Sequence, residues 1–473
     1  MDATSLDHGP RLLHILELQR SAYRAAPVPQ LRQRRQDLLT LRRFVLDQRT
    51  ALIDAVARDY GHRSRHETEL TEILPVLKDI DHALKHLRRW MRVQPRGVDR
   101  LAFGLAANRV VPQPLGVVGV IVPWNFPINL SFLPLVAIFA AGNRAMVKMS
   151  ENSRHLAALL IDKMPAYFPP EKLQFFDETG GVGIAFSQLP FDHLLFTGST
   201  QTGRSVMQAA AKNLCPVTLE LGGRSPAIVC DDFDLATAAQ RILYVKFLNA
   251  GQICTTVNHV YVPRAKLQAF VEMAQTLVPK RYASLDSVDL SSIINAQAYE
   301  RLTTALEEAQ ARGATVLSLL PGVARNEATH RLAPHVVLNA PDDCELMQRE
   351  IFGPILPVVP YDNLDEVLSQ VQAGPRPLAF YPFTHDRKLL QRMLDRVMSG
   401  GVSVNDALFH VGQTDLPFGG VGASGMGHYH GREGFETFSK LRPVFHQSRW
   451  STLGLLYPPY GKTIETLLKF LAR

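Results

Sequence analysis

Only four cysteines, at 215, 230, 254 and 344, occur in 473 residues. They are too few and too scattered for a disulfide framework, and no pair has the CxxC spacing of a zinc site. Free thiols in a reducing compartment are the simpler reading, which points to the cytoplasm. The N-terminal MDATSLDHGP lacks the basic start and apolar run of a signal peptide. A long uninterrupted hydrophobic run is missing too. The most apolar stretch, residues 115–142, is broken by Pro123, Asn125, Pro127, Asn129 and Pro134, so it reads as a buried strand-loop-helix unit and not a membrane span. The final IETLLKFLAR is amphipathic but too short to span; it is suited to packing on protein, or to peripheral contact with a membrane.

The chain is too long for one core, and two or three domains are expected. Its net charge of +7 implies weak attraction to anions. Much of the basic charge sits in LRQRRQDLLTLRRF (31–44). Apolar Leu38, Leu41, Val45, Leu52 and Val56 follow a 3-4 spacing there, so the arginines read as the wet face of a helix. No aromatic interleaving accompanies them, which argues against a nucleic-acid partner.

Residues 11–92 read as helical with an interruption at Gly61, and 96–114 as a short extended excursion. Then strand-like and helix-like segments alternate. VVGVIVP, NRAMVKMS, LQFFDE and FDHLLFTGS are the strands, and LSFLPLVAIFAAG, SRHLAALLIDKM and SVMQAAAKN the helices. This alternation predicts an α/β fold with a parallel sheet. PVTLELGGRSPAIVC (216–230) opens a second alternating unit, and a glycine-rich segment, LPFGGVGASGMG (416–427), precedes the tail.

Five short stretches invite chemical readings. FTGSTQTGR (196–204) lies between a strand and a helix. Gly198 permits close backbone approach, Ser199 offers a hydroxyl, and the helix N-terminus favours phosphate, although the stretch lacks GxGxxG. VKMSE puts Lys148 and Glu151 at a strand's carboxyl end, where doubly wound sheets bind ligands. There the lysine would meet ribose or phosphate oxygens, and the glutamate would hold both ribose hydroxyls and repel a 2′-phosphate. PWNFP fixes Asn125 between prolines as an amide donor to an oxyanion. LELGG places Glu220 in an apolar strand, a setting that raises a carboxyl pKa and suits a general base. NAGQICTT holds Cys254, where Gly251 would leave room for a substrate beside a nucleophilic thiolate. The other cysteines look duller: Cys230 ends a strand, Cys215 precedes a proline and Cys344 sits in an acidic loop. The histidines at 410, 428 and 430 read as surface or structural residues. Each stretch also has a plain structural reading: a turn, a pair of exposed charges, a buried ion pair, a core thiol.

In order, PWNFP, VKMSE, FTGST, LELGG, GQIC and EIFGP resemble the aldehyde dehydrogenase superfamily over nearly the whole chain. The tail LPFGGVGASGMGHYHGREGFETFS is similar to its class 3 branch, and GQICTTVNHVYVP looks most like the coniferyl-aldehyde dehydrogenases within it. The resemblance implies a Rossmann-like cofactor domain (1–95 and 115–219), an α/β catalytic domain (220–415), and a small β oligomerisation excursion with bridging tail (96–114 and 416–473) that builds a homodimer. It also implies NAD as cofactor, with NADP possible. Cys254 corresponds to the nucleophile, Glu220 to the general base and Asn125 to the side-chain oxyanion donor, with the Cys254 N–H as the second donor. Lys148 and Glu151 match the adenosine-ribose residues. Trp124 and Ser199, next to Gly198, match pyrophosphate contacts, and Glu350 and Phe352 match contacts to the nicotinamide ribose.

The sequence departs from the family pattern at two points: Met149 replaces a frequent proline, and Phe126 replaces a tyrosine common in class 3. The activity implied is oxidation of an aldehyde to an acid through a cysteine thiohemiacetal and thioester, with a coniferyl-type aromatic aldehyde as substrate. The alternatives are a medium- or long-chain aliphatic aldehyde, an acylating coenzyme A-dependent enzyme, against which Glu220 argues, and a non-catalytic cofactor-binding protein.

Overall fold

The computed structural model describes residues 8–449, 451 and 457–472. The first seven residues, over which the signal-peptide question was put, lie outside them. Five parallel strands, Val117–Ile121, Arg144–Lys148, Leu173–Phe176, His193–Thr197 and Val217–Glu220, form one sheet. Gly425–Met426 pairs antiparallel with its outer strand Val217–Glu220. Val117–Ile121 and His193–Thr197 are buried along their whole length, as parallel strands covered on both faces must be. These two strands are neighbours, and the chain order reverses between them. Such a reversal opens a crevice at the strands' carboxyl ends.

The stretch 216–230 does not open the second unit as a whole. Val217–Glu220 completes the first sheet, with Glu220 opposite Thr197. The chain crosses over through residues 221–225, where Gly222 and Gly223 end the strand run. Pro226–Val229 then joins a second, seven-stranded sheet with His259–Pro263, Ile355–Tyr361, Ala379–Phe383 and three outer strands. Segments Gln94–Arg96, Ala107–Pro114 and Ser439–His446 form a separate antiparallel three-stranded sheet.

The N-terminal helical region has more breaks than Gly61. Its main helices are Gly9–Ala25, Leu31–Asp47, Arg49–Asp59 and Leu74–Trp90. Pro27 and Pro29 account for the first break, because proline supplies no N–H and disfavours helix in the residue before it. Leu38, Leu41, Val45, Leu52 and Val56 are all fully buried, in keeping with their spacing. The arginine face is not wholly wet, however. Arg34 is 2% exposed and donates to the carbonyls of Ala140 and Ala141 at 3.0 and 2.7 Å. It thereby caps the C-terminal end of the buried helix Asn129–Ala141, where unpaired carbonyls favour a cation. Cys344 sits in the expected acidic loop, with its side chain buried in a hydrophobic cluster. No helix among the described residues is long and apolar enough to cross a membrane. The tail does form a helix, Lys462–Leu471, with Leu468 and Phe470 exposed.

Candidate active site

The parallel strands of the first sheet deliver four of the six motifs to one edge. PWNFP follows Val117–Ile121, VKMSE ends Arg144–Lys148, FTGST follows His193–Thr197 and LELGG ends Val217–Glu220. The Gly198 N–H donates to the Glu220 carbonyl at 2.9 Å, which ties two of these ends together. GQIC arrives from the second unit, and its cysteine packs against the core of the first.

The Asn125 loop is held from beneath. The Asn125 carbonyl accepts from the Tyr60 hydroxyl (2.9 Å), Arg63 (3.1 Å) and the Asn249 amide (3.2 Å). Arg63 pairs at 2.7 Å with Glu72, both side chains being fully buried. The other Glu72 oxygen accepts the Ile128 and Asn129 N–H groups at the start of the following helix. This network fixes the loop between its prolines. The Asn125 side-chain amide then reaches the Gln252 carbonyl at 3.3 Å, two residues from Cys254.

Three consecutive residues before Cys254 adopt left-handed backbone: Asn249, Ala250 and Gly251 at φ 51°, 50° and 73°. The reason for Gly251 differs from the expected one. A Cβ there would lie 2.3 Å from the Gly353 carbonyl oxygen, so the glycine makes room for the EIFGP loop and not for a substrate. Gln252 locks this turn. Its amide donates to the Asn249 and Ser292 carbonyls, both at 3.0 Å, and its oxygen accepts the Ile294 N–H at 3.0 Å.

Cys254 is half-buried. Burial, together with the nearby Glu350 and Glu220 carboxylates, pushes its thiol up to about 12. Glu220 is 2% exposed, and neither side-chain oxygen has a hydrogen-bond partner among the described residues. Burial alone raises its carboxyl well above the usual range. A buried carboxyl with both oxygens unpaired is poised for a further donor such as water.

Glu350 joins two of the motifs. A Cβ on Gly222 would lie 2.0 Å from a Glu350 oxygen, so LELGG needs its first glycine for EIFGP to approach. Burial raises the Glu350 carboxyl to about 8, opposed by the Gly223 N–H, Arg301 and Lys246. Phe352 holds a left-handed backbone (φ 50°), strained for a bulky side chain, and meets Trp124 edge-on at 5.4 Å. Ser199 caps the helix Thr200–Ala211 by accepting the Thr202 N–H. Lys148 is 6% exposed and pairs at 2.5 Å with Glu178, a residue the motif reading passed over. Glu151 is exposed beside it and accepts from the Ser150 hydroxyl. The Met149 N–H donates to the Phe176 carbonyl at 2.8 Å, a bond that proline would forfeit. The serine-capped helix and the lysine at the strands' carboxyl ends, with a Glu350 oxygen that has no partner among the described residues, fit a dinucleotide.

A cavity of about 260 Å³ opens on Cys254 and Ile253. Phe126 lines it from the PWNFP loop, Leu130 and Leu133 from the helix Asn129–Ala141, and Phe409, Phe418 and Tyr429 from the C-terminal segments. His430 lines it as well, a buried position compatible with the structural role expected of it. It is 4% exposed, its Nε2 lacks a partner among the described residues, and its ring stacks on Phe418 at 5.4 Å. Burial lowers it to about 4, so it is a neutral imidazole at pH 7. His410 is enclosed against the Ser403 hydroxyl, and His428 is exposed. Nothing in the local sequence separates His430 from His428; only the return of the tail onto the first sheet does.

The sequence pattern of the "Aldehyde dehydrogenase family" matches residues 14–444. The chain is similar to a "Probable coniferyl aldehyde dehydrogenase" of Pseudomonas aeruginosa, 49% identical over 95% of this chain and 94% of that protein. It is also similar to a "Coniferyl aldehyde dehydrogenase" of a Pseudomonas species, 44% identical over 90% and 89%. Among solved structures, substrate-bound AldH of Staphylococcus aureus superimposes with a TM-score of 0.91 at 31% identity, covering 97% of this chain and 99% of that one. An NAD⁺ complex of a Bacillus cereus aldehyde dehydrogenase gives 0.82 at 25% identity, covering 93% and 89%.

Proposed function

The chain belongs to the aldehyde dehydrogenase family, and we propose that it oxidises a coniferyl-type aromatic aldehyde to the corresponding ferulate-type acid. The observation that carries the substrate reading is the cavity over Cys254, whose walls include Phe126, Phe409, Phe418 and Tyr429. Flat aromatic surfaces stack well against such rings. The names of the relatives at 49% and 44% identity support the same choice. Aliphatic residues in the same cavity, Leu130 and Leu133 among them, keep a medium- or long-chain aldehyde as the second reading.

In the proposed mechanism the Cys254 thiolate attacks the aldehyde carbon and forms a thiohemiacetal. The Asn125 amide and the Cys254 N–H hold the oxyanion. When bound, NAD(P) supplies the two-electron acceptor that turns the thiohemiacetal carbon into a thioester carbonyl. Glu220 then takes a proton from water, the water oxygen attacks the thioester, and the acid leaves as the Cys254 sulfur is released. Dividing the oxidation into two steps through a covalent intermediate lowers each barrier. Lys148 and Glu151 would hold the adenosine ribose, Trp124, Gly198 and Ser199 would border the pyrophosphate, and Glu350 and Phe352 would contact the nicotinamide ribose. NAD is the preferred cofactor, because Glu151 would repel a 2′-phosphate. A homodimer built through the three-stranded sheet and a cytoplasmic location complete the reading.

The test mixes the purified chain with NAD⁺ and coniferyl aldehyde, with decanal in parallel, and follows both NADH and the acid. Ferulate formation that is lost in Cys254→Ala is expected, with no requirement for coenzyme A. Glu220→Gln should release about one NADH per site and then stall, because deacylation needs the base. Decanal turnover alone would select the aliphatic reading. Unchanged steady-state turnover in Glu220→Gln would remove the base assignment.

A further inference from the structure

The carboxyl end of the strand Leu173–Phe176 carries a residue that none of the six motifs includes. Glu178 sits two residues past that strand and pairs with Lys148 at 2.5 Å. Both side chains are mostly covered, at 8% exposure for Lys148 and 17% for Glu178. The Glu178 oxygen that meets the ammonium also accepts the Gly183 N–H at 2.9 Å, so the carboxylate is fixed from two sides. The space is reserved as well: a Cβ on Gly183 would lie 2.8 Å from Glu178 and 3.1 Å from Lys148. Glu178, Asp177, Ser150 and Arg154 line one pocket, at the same sheet edge as Glu151.

We propose that Glu178 is a specificity-determining residue that favours NAD over NADP by occupying the ammonium of Lys148. The inference rests on the dinucleotide-dependent reading above and deepens it. A lysine at this strand end is the natural partner of a 2′-phosphate, because a compact cation attracts a dianion strongly in a partly covered site. Here that cation already has an anion in contact. A 2′-phosphate entering beside Lys148 would face three carboxylates, Glu178, Asp177 and Glu151, against two cations, Lys148 and Arg154. A ribose hydroxyl carries no charge and can accept one of the remaining ammonium N–H groups without displacing Glu178. The pair therefore lowers the affinity for NADP while leaving Lys148 able to hold the ribose.

The test is a calorimetric titration of the full chain with NAD⁺ and with NADP⁺, which needs no turnover, followed by kcat/KM with each cofactor. Glu178→Gln keeps an oxygen for the Gly183 N–H and removes only the charge. It should tighten NADP⁺ by about tenfold or more, with NAD⁺ changed by less than about threefold. The gain should shrink at high salt and vanish in Glu178→Gln/Lys148→Met, since it depends on the released ammonium. An unchanged ratio of the two affinities in Glu178→Gln would overturn the proposal. So would an equal loss of both, which would make the carboxylate a mere loop anchor. A wild-type chain that binds neither cofactor would fail at the first titration, and would sink the dinucleotide reading itself before any substitution is compared.

Discussion

Burial works against the charged, reactive forms of Cys254 and Glu220. The thiol is pushed up to about 12 and the Glu220 carboxyl well above its usual range, both chiefly by burial. The nucleophile must lose its proton to attack, and the base must have lost its own to accept one from water. Raised values mean that both active forms become scarcer as pH falls. The rates of acylation and deacylation should therefore both climb from about pH 6 to about pH 9, with no plateau on the acid side. Stopped-flow measurement of the NADH burst and of the later steady state separates the two. A burst rate that is flat across this range would show that the thiolate is already formed at neutral pH. His430 and Glu178 belong to the same scale. Their chemistry was not legible in the sequence, because an unpaired Nε2 and a 2.5 Å ion pair depend on what the fold sets opposite them.

At the scale of elements, the turn Leu248–Gly251 positions the nucleophile, and Gln252 secures the turn. The motif GQIC was legible as a place for a nucleophile, but the work of its glutamine was not. Its partners Ser292 and Ile294 lie about forty residues away, so no local pattern shows them. Gln252→Ala would take the side-chain partner from the buried Ile294 N–H and the Ser292 carbonyl, while the Asn249 carbonyl keeps the backbone N–H of residue 252. Each such loss costs about 1–3 kcal/mol, so a total near 3 kcal/mol is expected. Thermal unfolding should report that loss. Oxidation by the folded variant should also fall, because the Gln252 side chain ties the turn before Cys254 to Ser292 and Ile294. A variant of unchanged Tm and unchanged kcat would show that the turn holds itself. The buried Arg63–Glu72 pair does comparable work for PWNFP from a helical region whose sequence showed only amphipathic spacing.

Over the whole molecule, the three-stranded sheet is the part with least reason to exist in a monomer. One of its outer strands, Ser439–His446, has an edge unpaired among the described residues and exposes Leu441 and Phe445. Free edges and exposed apolar side chains favour pairing with another chain. A homodimer is therefore expected by light scattering coupled to size exclusion. Substituting Lys for both Leu441 and Phe445 should shift it toward monomer, while the far-UV dichroism stays unchanged. A monomeric wild-type chain at micromolar concentration would contradict this.

The sequence by itself determined the class of fold and the order of the chemistry. Strand-helix alternation required a parallel sheet, and six motifs in one order led to the family now shown by the match over residues 14–444. It did so because periodicity, glycine placement and short motifs are local properties. Tertiary structure alone decided what each motif meets. It moved Val217–Glu220 into the first sheet. It turned Arg34 inward to cap a helix, gave the space beside Gly251 to the Gly353 carbonyl, brought His430 to the pocket of Cys254, and set Glu178 on Lys148. Each of these pairings joins residues distant in the chain or depends on the exact path of a loop, and burial and charge act through space, where the order of residues carries no record of them.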